Sequence, residues 1–374
     1  MIKKYKKIII IMTSIITLII TLSYPKIINQ NLSKKVDFDN CNFEKMDLKS
    51  MLCLEKIINK SLIENKYDEI AENIKILQNK YPPLETECHK ITHKLGRESI
   101  GYYSNLKKLL EDTSSDACGE GMIHAVISEY INKNITEKDL YEKITTICLN
   151  TKDQQRVLGC AHGLGHALAE NNTLSESMKI CENLYEKYKN NFESIVTNTY
   201  GGSCAYGVIM QAYAPFEKSK KYKLYYKEEI INTCSNINDK KSVLYEGCAS
   251  ALGFGLSTRY FIKYRKTEIL SKKEKEEMYK ICNTIDKHIS YDRYKLGYGC
   301  FGAIIAELQR VSIEKFESNN FKYLKLYHNE CGDIIKIVTK YDKRNDSICK
   351  DLLKSRYTQE IADKYLEYIR TLGD

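Results

Sequence analysis

The chain has few of the residues that interrupt helices and lacks the motifs of several large enzyme classes. Its 374 residues include four prolines, and only Pro215 comes after residue 83. Long stretches therefore lack the residue that most often breaks a helix. The sequence has no GxxxxGK phosphate loop, no GxSxG nucleophile elbow and no CxxC pair. These absences exclude a P-loop nucleotide-binding protein and an α/β-hydrolase, and they disfavour a zinc site built from thiolates.

Strong charge of one sign is also missing from most of the chain. There are 58 Lys and Arg against 49 Asp and Glu, a net charge of +9. Four of these positive charges precede the first apolar run, at Lys3, Lys4, Lys6 and Lys7. Because the remainder is only mildly basic, we expect no nucleic-acid partner.

The N-terminus combines that basic cluster with an apolar run from Ile8 to Leu22, which only four hydroxyl residues interrupt. This pattern predicts a secretory signal peptide or a retained signal anchor, a transmembrane helix, within residues 1–25. The positive flank places the residues after Pro25 outside the cytoplasm. We therefore expect a membrane-anchored or secreted, extracytoplasmic protein, with the membrane as a partner through this segment.

Fourteen cysteines, an even number, fit an exported chain braced by disulfide bonds. Most lie in pairs, one near the end of a helix-like segment and the next near the start of the following segment. The pattern predicts Cys148–Cys160, Cys181–Cys204, Cys234–Cys248, Cys282–Cys300 and Cys331–Cys349. Cys41–Cys53 and Cys88–Cys118 complete the set with weaker support. Thiolate metal ligation is the competing interpretation, and the lack of CxxC disfavours it.

A short motif recurs along the chain with a cysteine at its start. Five ungapped copies are Cys118–His124, Cys160–His166, Cys204–Met210, Cys248–Phe254 and Cys300–Ala306, and a variant at Cys88–His93 precedes them. Successive copies start 30, 42, 44, 44 and 52 residues apart. Such spacing is typical of stacked helical hairpins.

Apolar residues recur at three- and four-residue steps from residue 84 onward, and strand signals are scarce. We therefore predict an all-α fold, a disulfide-stapled array of helical hairpins with a solenoid or toroid-like form. The predicted organisation is a stalk at 26–45, an N-terminal helical pair at 46–83 and a helical-repeat domain at 84–374. The third residue after each motif cysteine is Gly or Ala, which indicates close helix packing; room for a ligand against the backbone is the alternative.

The N-terminal motif copies also carry side chains that bind metals. Five of the seven histidines fall in three copies, and each has a His or Glu partner four residues away. Residues four apart share a face of a helix. The predicted metal ligands are His89, His93, Glu120, His124, His162 and His166, with Glu120 also a candidate catalytic base. Imidazoles and a carboxylate suit zinc, iron or copper.

The later copies replace these ligands. Tyr206 and Met210 occupy the equivalent positions of the copy at Cys204–Met210, where they either complete a redox site or form a wall beside the metal. His288 and His328 lie outside the motifs, and we interpret them as surface residues.

Two resemblances rest on these features. The segment Cys160-Ala-His162-Gly163 resembles the Cys-His-Gly element of lanthionine cyclases, which are all-α barrels with a zinc ion, although here one more residue separates Cys from His. The stapled hairpins are similar in architecture to secreted Sel-like repeat proteins, with different repeat lengths and motif residues. Neither resemblance assigns the chain to a family.

These patterns favour a membrane-tethered helical-repeat protein that binds a transition metal, with a metal-dependent hydrolase or oxidoreductase as the possible activity. A carboxylate or metal-bound water could then act on a substrate that the sequence does not identify. The alternatives are metal capture without catalysis and a non-catalytic scaffold that binds a protein or peptide.

Overall fold

A computed structural model describes residues 41, 48–63, 69–70, 73–74, 76–77, 84–100, 106–107, 121–151, 153–213, 227–239, 242–264, 272–286, 299–316, 329, 331–334, 349 and 367. No β-strand occurs among these residues, and nearly all of them are helical. The prediction of an all-α protein is confirmed.

Eleven helices are described over their whole length, and further helical residues are described at 69–70, 73–74, 76–77, 106–107, 329, 331–334, 349 and 367. The eleven helices are α1 (Leu48–Ile63), α2 (Leu84–Ser99), α3 (Gly121–Lys133), α4 (Leu140–Leu149), α5 (Gln154–Asn171), α6 (Leu174–Tyr188), α7 (Ser194–Tyr213), α8 (Lys227–Ser235), α9 (Val243–Tyr264), α10 (Lys272–Asp286) and α11 (Gly299–Phe316).

The helices that carry the motif pack against one another in chain order. Helix α2 contacts α3, α3 contacts α5, α5 contacts α7, α7 contacts α9 and α9 contacts α11. The linking helices α4, α6 and α10 each pack against both motif helices that they connect, and α8 packs against α9. Helix α8 also contacts α6 and α10, so these three linking helices pack against one another in chain order, as well as against motif helices. As a result, a side chain on one motif helix faces side chains on the motif helices before and after it.

Burial differs between the two kinds of helix. In the motif helix α5, every residue from Gly159 to Ala169 is buried, because neighbours cover it on several sides. In the linking helix α6, burial follows one stripe that includes Leu174, Met178 and Cys181, and the opposite face is in water. Sequence periodicity is therefore clearer in α6 than in α5, which is apolar nearly all round.

Side chains cap the helices around α5. The Asp153 carboxylate accepts a hydrogen bond from the backbone N–H of Gln155 at 2.9 Å and so starts α5. Thr173 and Glu176 form a reciprocal capping box at the start of α6. Because each cap satisfies backbone N–H groups that have no partner within the helix, the ends of α5 and α6 are well defined.

Small residues at the motif position allow adjacent helices to touch. A Cβ added at Gly163 would lie 2.7 Å from the carbonyl oxygen of His124 on α3, and one added at Gly207 would lie 2.9 Å from Cδ2 of His162 on α5. Carbon contacts are ordinarily at least about 3.5 Å. At these two positions the close-packing interpretation of the glycines is confirmed.

Six predicted disulfides are present among the described residues. They are Cys41–Cys53, Cys148–Cys160, Cys181–Cys204, Cys234–Cys248, Cys282–Cys300 and Cys331–Cys349. Each joins cysteines only 12 to 23 residues apart, as expected for bonds between consecutive segments. The predicted Cys88–Cys118 bond involves a residue outside the described part of the chain and stays a prediction.

The predicted membrane segment, residues 8–22, also lies outside the described residues. None of the helices described combines the length and the apolar character needed to cross a membrane. The proposed boundaries at residues 25, 45 and 83 likewise stay predictions.

Candidate metal centre

Three of the predicted metal ligands come together where α3 packs against α5. His124 is on α3, and His162 and His166 are one turn apart on α5. One nitrogen from each ring lies within 4.8 Å of those from the other two. The four-residue spacing places the two α5 rings on the same helix face, and the contact between the helices brings the third ring to them.

The rings themselves are in close contact. The centroids of His124 and His162 are 4.0 Å apart, and those of His162 and His166 are 4.7 Å apart with an angle of 17° between the ring planes. His124 and His166 are 6.1 Å apart by the same measure. The three imidazoles therefore form one continuous cluster.

The cluster is shielded from water. The exposed fractions are 1% for His124, 6% for His162 and 3% for His166. Burying three imidazolium charges side by side would be unfavourable, whereas neutral imidazoles provide nitrogen lone pairs that bind metals. The burial of the three rings and their nitrogen donors together fit a site for a metal ion.

His93 lies next to this cluster. It is on α2 and is buried, with its ring centroid 5.8 Å from that of His124 and 6.3 Å from that of His166. It is not one of the three residues whose ligand atoms group within 4.8 Å. Helix α2 thus brings a fourth imidazole to the edge of the site.

The remaining two predicted ligands are not placed. His89 is on α2, one turn before His93, but its side chain lies outside the described part of the chain. Glu120 precedes α3 and is not described at all. Their roles as ligands, and that of Glu120 as a base, stay predictions.

Aromatic side chains form a wall on the α7 side. The Tyr206 ring packs edge-on against His162 at a centroid distance of 5.2 Å, and Phe254 of α9 lies 6.3 Å beyond it. Met210 is buried on the same helix as Tyr206. Tyr206 and Phe254 therefore lie where earlier motif copies have histidines, and their aromatic rings extend the packing beyond the imidazole cluster.

His166 has a hydrogen-bond partner that the sequence did not indicate. Its Nδ1 is 2.7 Å from Oε1 of Gln211, a buried amide on α7. The other end of that amide, Nε2, donates to Oε1 of Glu170 on α5 at 3.3 Å. Glu170 also accepts from Asn132 at 2.8 Å and from Ser128 at 3.4 Å, both on α3.

Two residues of this hydrogen-bond network, Glu170 and Ser128, could have been predicted from the sequence. Glu170 follows His166 by four residues, as His166 follows His162, so extending the same helical register by one turn would have found it. Ser128 stands in the same relation to His124. Gln211 gave no such signal, because it lies on another helix and next to the motif position rather than on it.

The donor set can be tested against the needs of a metal ion. Nitrogens that share one tetrahedral zinc lie about 3.4 Å apart, given Zn–N distances of about 2.0–2.1 Å. From a grouping within 4.8 Å, the nitrogens need to approach by at most about 1.4 Å to reach that spacing. Three imidazoles fit zinc, iron or copper, and they leave a fourth coordination position for another ligand.

Comparison with known proteins gives no relative for this chain. No protein-family model matches it, and neither a curated protein nor a solved structure matches it. Its site is therefore interpreted from its own geometry and chemistry.

Proposed function

We propose that this protein binds one divalent transition-metal ion, zinc, iron or copper, through His124, His162 and His166. The observation that carries the proposal is the grouping of their three ligand atoms within 4.8 Å in a buried position. Imidazoles are among the commonest ligands for these ions. Three of them on two packed helices provide three of the four ligands of a tetrahedral site.

The wider setting that we propose is a helical-repeat protein outside the cytoplasm, tethered to the membrane or secreted. The serial packing of motif helices and the recurring cysteine pairs support the repeat architecture. The six disulfides support an oxidising compartment, and the basic and apolar N-terminal sequence supports export.

The proposed activity is that of a metal-dependent enzyme, a hydrolase with zinc or an oxidoreductase with iron or copper. A three-ligand site with an open position is typical of catalytic rather than structural metal centres. When bound, such an ion acts as a Lewis acid and lowers the pKa of a coordinated water. His93 stands beside the three ligands, where it can hold or move a proton, and Tyr206 limits access from the α7 side.

Elemental analysis of the purified, oxidised full-length chain tests the metal proposal directly. We expect about one zinc, iron or copper ion per chain. Substitution of His162→Leu removes one of three ligands, so the affinity for the ion should fall by more than about 100-fold, beyond the loss that outer-shell changes usually cause.

Tyr200→Phe is the matched control for changing a buried polar residue. The Tyr200 hydroxyl is hydrogen-bonded to Thr145 at 2.7 Å, in a contact between α7 and α4 rather than in the imidazole cluster. This variant should keep its metal. If the wild-type chain neither contains nor takes up a transition metal, the proposal is wrong and a metal-free binding scaffold becomes the better interpretation.

A further inference from the structure

We propose that Gln211 and Glu170 are positioning residues that hold His166 with a proton on Nδ1 and present its Nε2 to the metal. The identity of the ion-binding atom rests on the proposed function, whereas the location of the proton on His166 does not. The two parts can therefore be tested separately.

The direction of each hydrogen bond follows from the chemistry of the groups. A carboxylate only accepts hydrogen bonds, so the Gln211 atom that faces Glu170 must be the amide nitrogen. The amide oxygen then faces His166, where it can only accept, so Nδ1 of His166 must carry the donating proton. A neutral imidazole with a proton on Nδ1 has its lone pair on Nε2, the nitrogen that is left to bind a metal.

The carboxylate is itself held in place. Its Oε2 accepts hydrogen bonds from Asn132 and Ser128 on α3, which leaves Oε1 facing Gln211. Asn132 is exposed, Glu170 is half-buried and Gln211 is buried. The network therefore runs from the protein surface to the buried imidazole and fixes the orientation of the amide between them.

Three helices meet in this network. Ser128 and Asn132 belong to α3, His166 and Glu170 to α5, and Gln211 to α7. Helix α7 has Tyr206 and Met210 where the earlier motif copies have metal-binding residues. The side chain of Gln211 on this helix is hydrogen-bonded to His166, so it supports a proposed ligand without being one.

Outer-shell hydrogen bonds of this kind fix the tautomer and the ring orientation of metal-binding histidines. Without an acceptor at Nδ1, the proton of His166 is free to move to Nε2, which then cannot bind the ion. Loss of such partners typically lowers metal affinity by about 10- to 100-fold. We expect a loss in this range for Gln211→Met, which keeps the size and helical preference of the side chain but removes the acceptor.

Nitrogen-15 NMR of the metal-free, histidine-labelled full-length chain reads the tautomer directly. His166 is assigned from the signals that disappear in His166→Leu. We expect the wild type to show Nδ1–H alone and Gln211→Met to show a mixture with Nε2–H.

Gln154→Leu is the matched control. Gln154 is also a glutamine that links α5 and α7, through a 3.0 Å hydrogen bond from Nε2 to the Thr199 hydroxyl, but it is exposed and does not contact His166. This variant should leave both the tautomer and the metal affinity unchanged. Competition titration with zinc chloride, alongside circular dichroism of each variant, gives the affinity arm of the experiment.

The outcomes are distinct. A folded Gln211→Met variant that keeps only Nδ1–H on His166 overturns the positioning role. A tautomer change in a protein that takes up no metal supports the positioning role and refutes the proposed function. A tautomer change together with an unaltered zinc affinity refutes the claim that Nε2 of His166 binds the ion.

Should Gln211→Met fail to fold, Glu170→Ala provides the second test. It leaves Gln211 in place but removes the group that orients its amide, so the amide can turn its nitrogen toward His166. We then expect a partial shift toward Nε2–H and a zinc affinity between those of the wild type and His162→Leu. No shift in the tautomer would contradict the proposed role of Glu170.

Discussion

Individual buried polar side chains in this protein are held by hydrogen bonds that cross from one helix to another. Tyr200 on α7 is bonded to Thr145 on α4, and His166 on α5 is bonded to Gln211 on α7. Tyr245 on α9 donates from its hydroxyl to the carbonyl oxygen of Ile285 on α10 at 2.6 Å. Because an unsatisfied buried polar atom is costly, these contacts restrict how neighbouring helices can slide.

The buried phenol of Tyr245 should lower the free energy of unfolding at high pH. Burial, with a smaller effect of the Asp286 carboxylate, raises the pKa of its phenol from 10.0 to about 12. Between these values the unfolded chain releases the proton and the folded chain keeps it, so stability falls as pH rises. Guanidinium unfolding of the wild type and Tyr245→Phe at pH 9 and pH 11 should show that the wild type loses up to about 1 kcal/mol more than the variant. Parallel losses in the two proteins would contradict this prediction.

Pairs of motif helices approach closely at glycines, and this spacing brings the imidazoles together. At Gly207 on α7, any Cβ would press on the backbone and the ring of His162 on α5. At Gly202, five residues earlier on the same helix, the nearest atom to a Cβ is the Val243 carbonyl oxygen at 3.3 Å. The same substitution on one helix therefore has different consequences at the two positions.

Gly207→Ala should cost about 1–3 kcal/mol through overpacking, against a gain of roughly 1 kcal/mol because alanine is the better helix former, so the free energy of unfolding should fall by up to about 2 kcal/mol. It should also weaken metal binding, because it displaces His162. Gly202→Ala, the control, should stay within about 1 kcal/mol of the wild type. Chemical denaturation and zinc titration of both variants check this, and equal behaviour of the two would show that the close approach at Gly207 is unimportant.

At the scale of the whole molecule, stability comes from a continuous apolar core and the disulfides, and the proposed metal ion would add to it. The core includes residues of every helix from α3 to α11. Each disulfide contributes about 2–4 kcal/mol in proteins generally. The metal-free chain should therefore keep its helices, in contrast to small zinc domains that unfold without their ion.

Metal binding should nevertheless raise stability by linkage. At a free zinc concentration 100 times the dissociation constant, the free energy of unfolding should increase by about 2.7 kcal/mol. Thermal unfolding followed by circular dichroism, with and without chelator, measures the shift. His162→Leu should show little zinc-dependent increase, whereas Tyr200→Phe should respond as the wild type does. A wild-type melting temperature that does not change with zinc would count against a site in the folded state.

The sequence by itself determined the helical class, six disulfide pairs and the histidines that share a helix face. These features depend on neighbours within one helix or one short loop, where the 3.6-residue period and the small loop-closure cost leave few alternatives. Cys148–Cys160 and the pair His162 and His166 are examples. Only the tertiary structure decided that His124 joins those two rings while His93 stands beside them, and that Gln211 supports the cluster. Those relations depend on the distances between packed helices. Many side chains that are distant in the sequence determine those distances together.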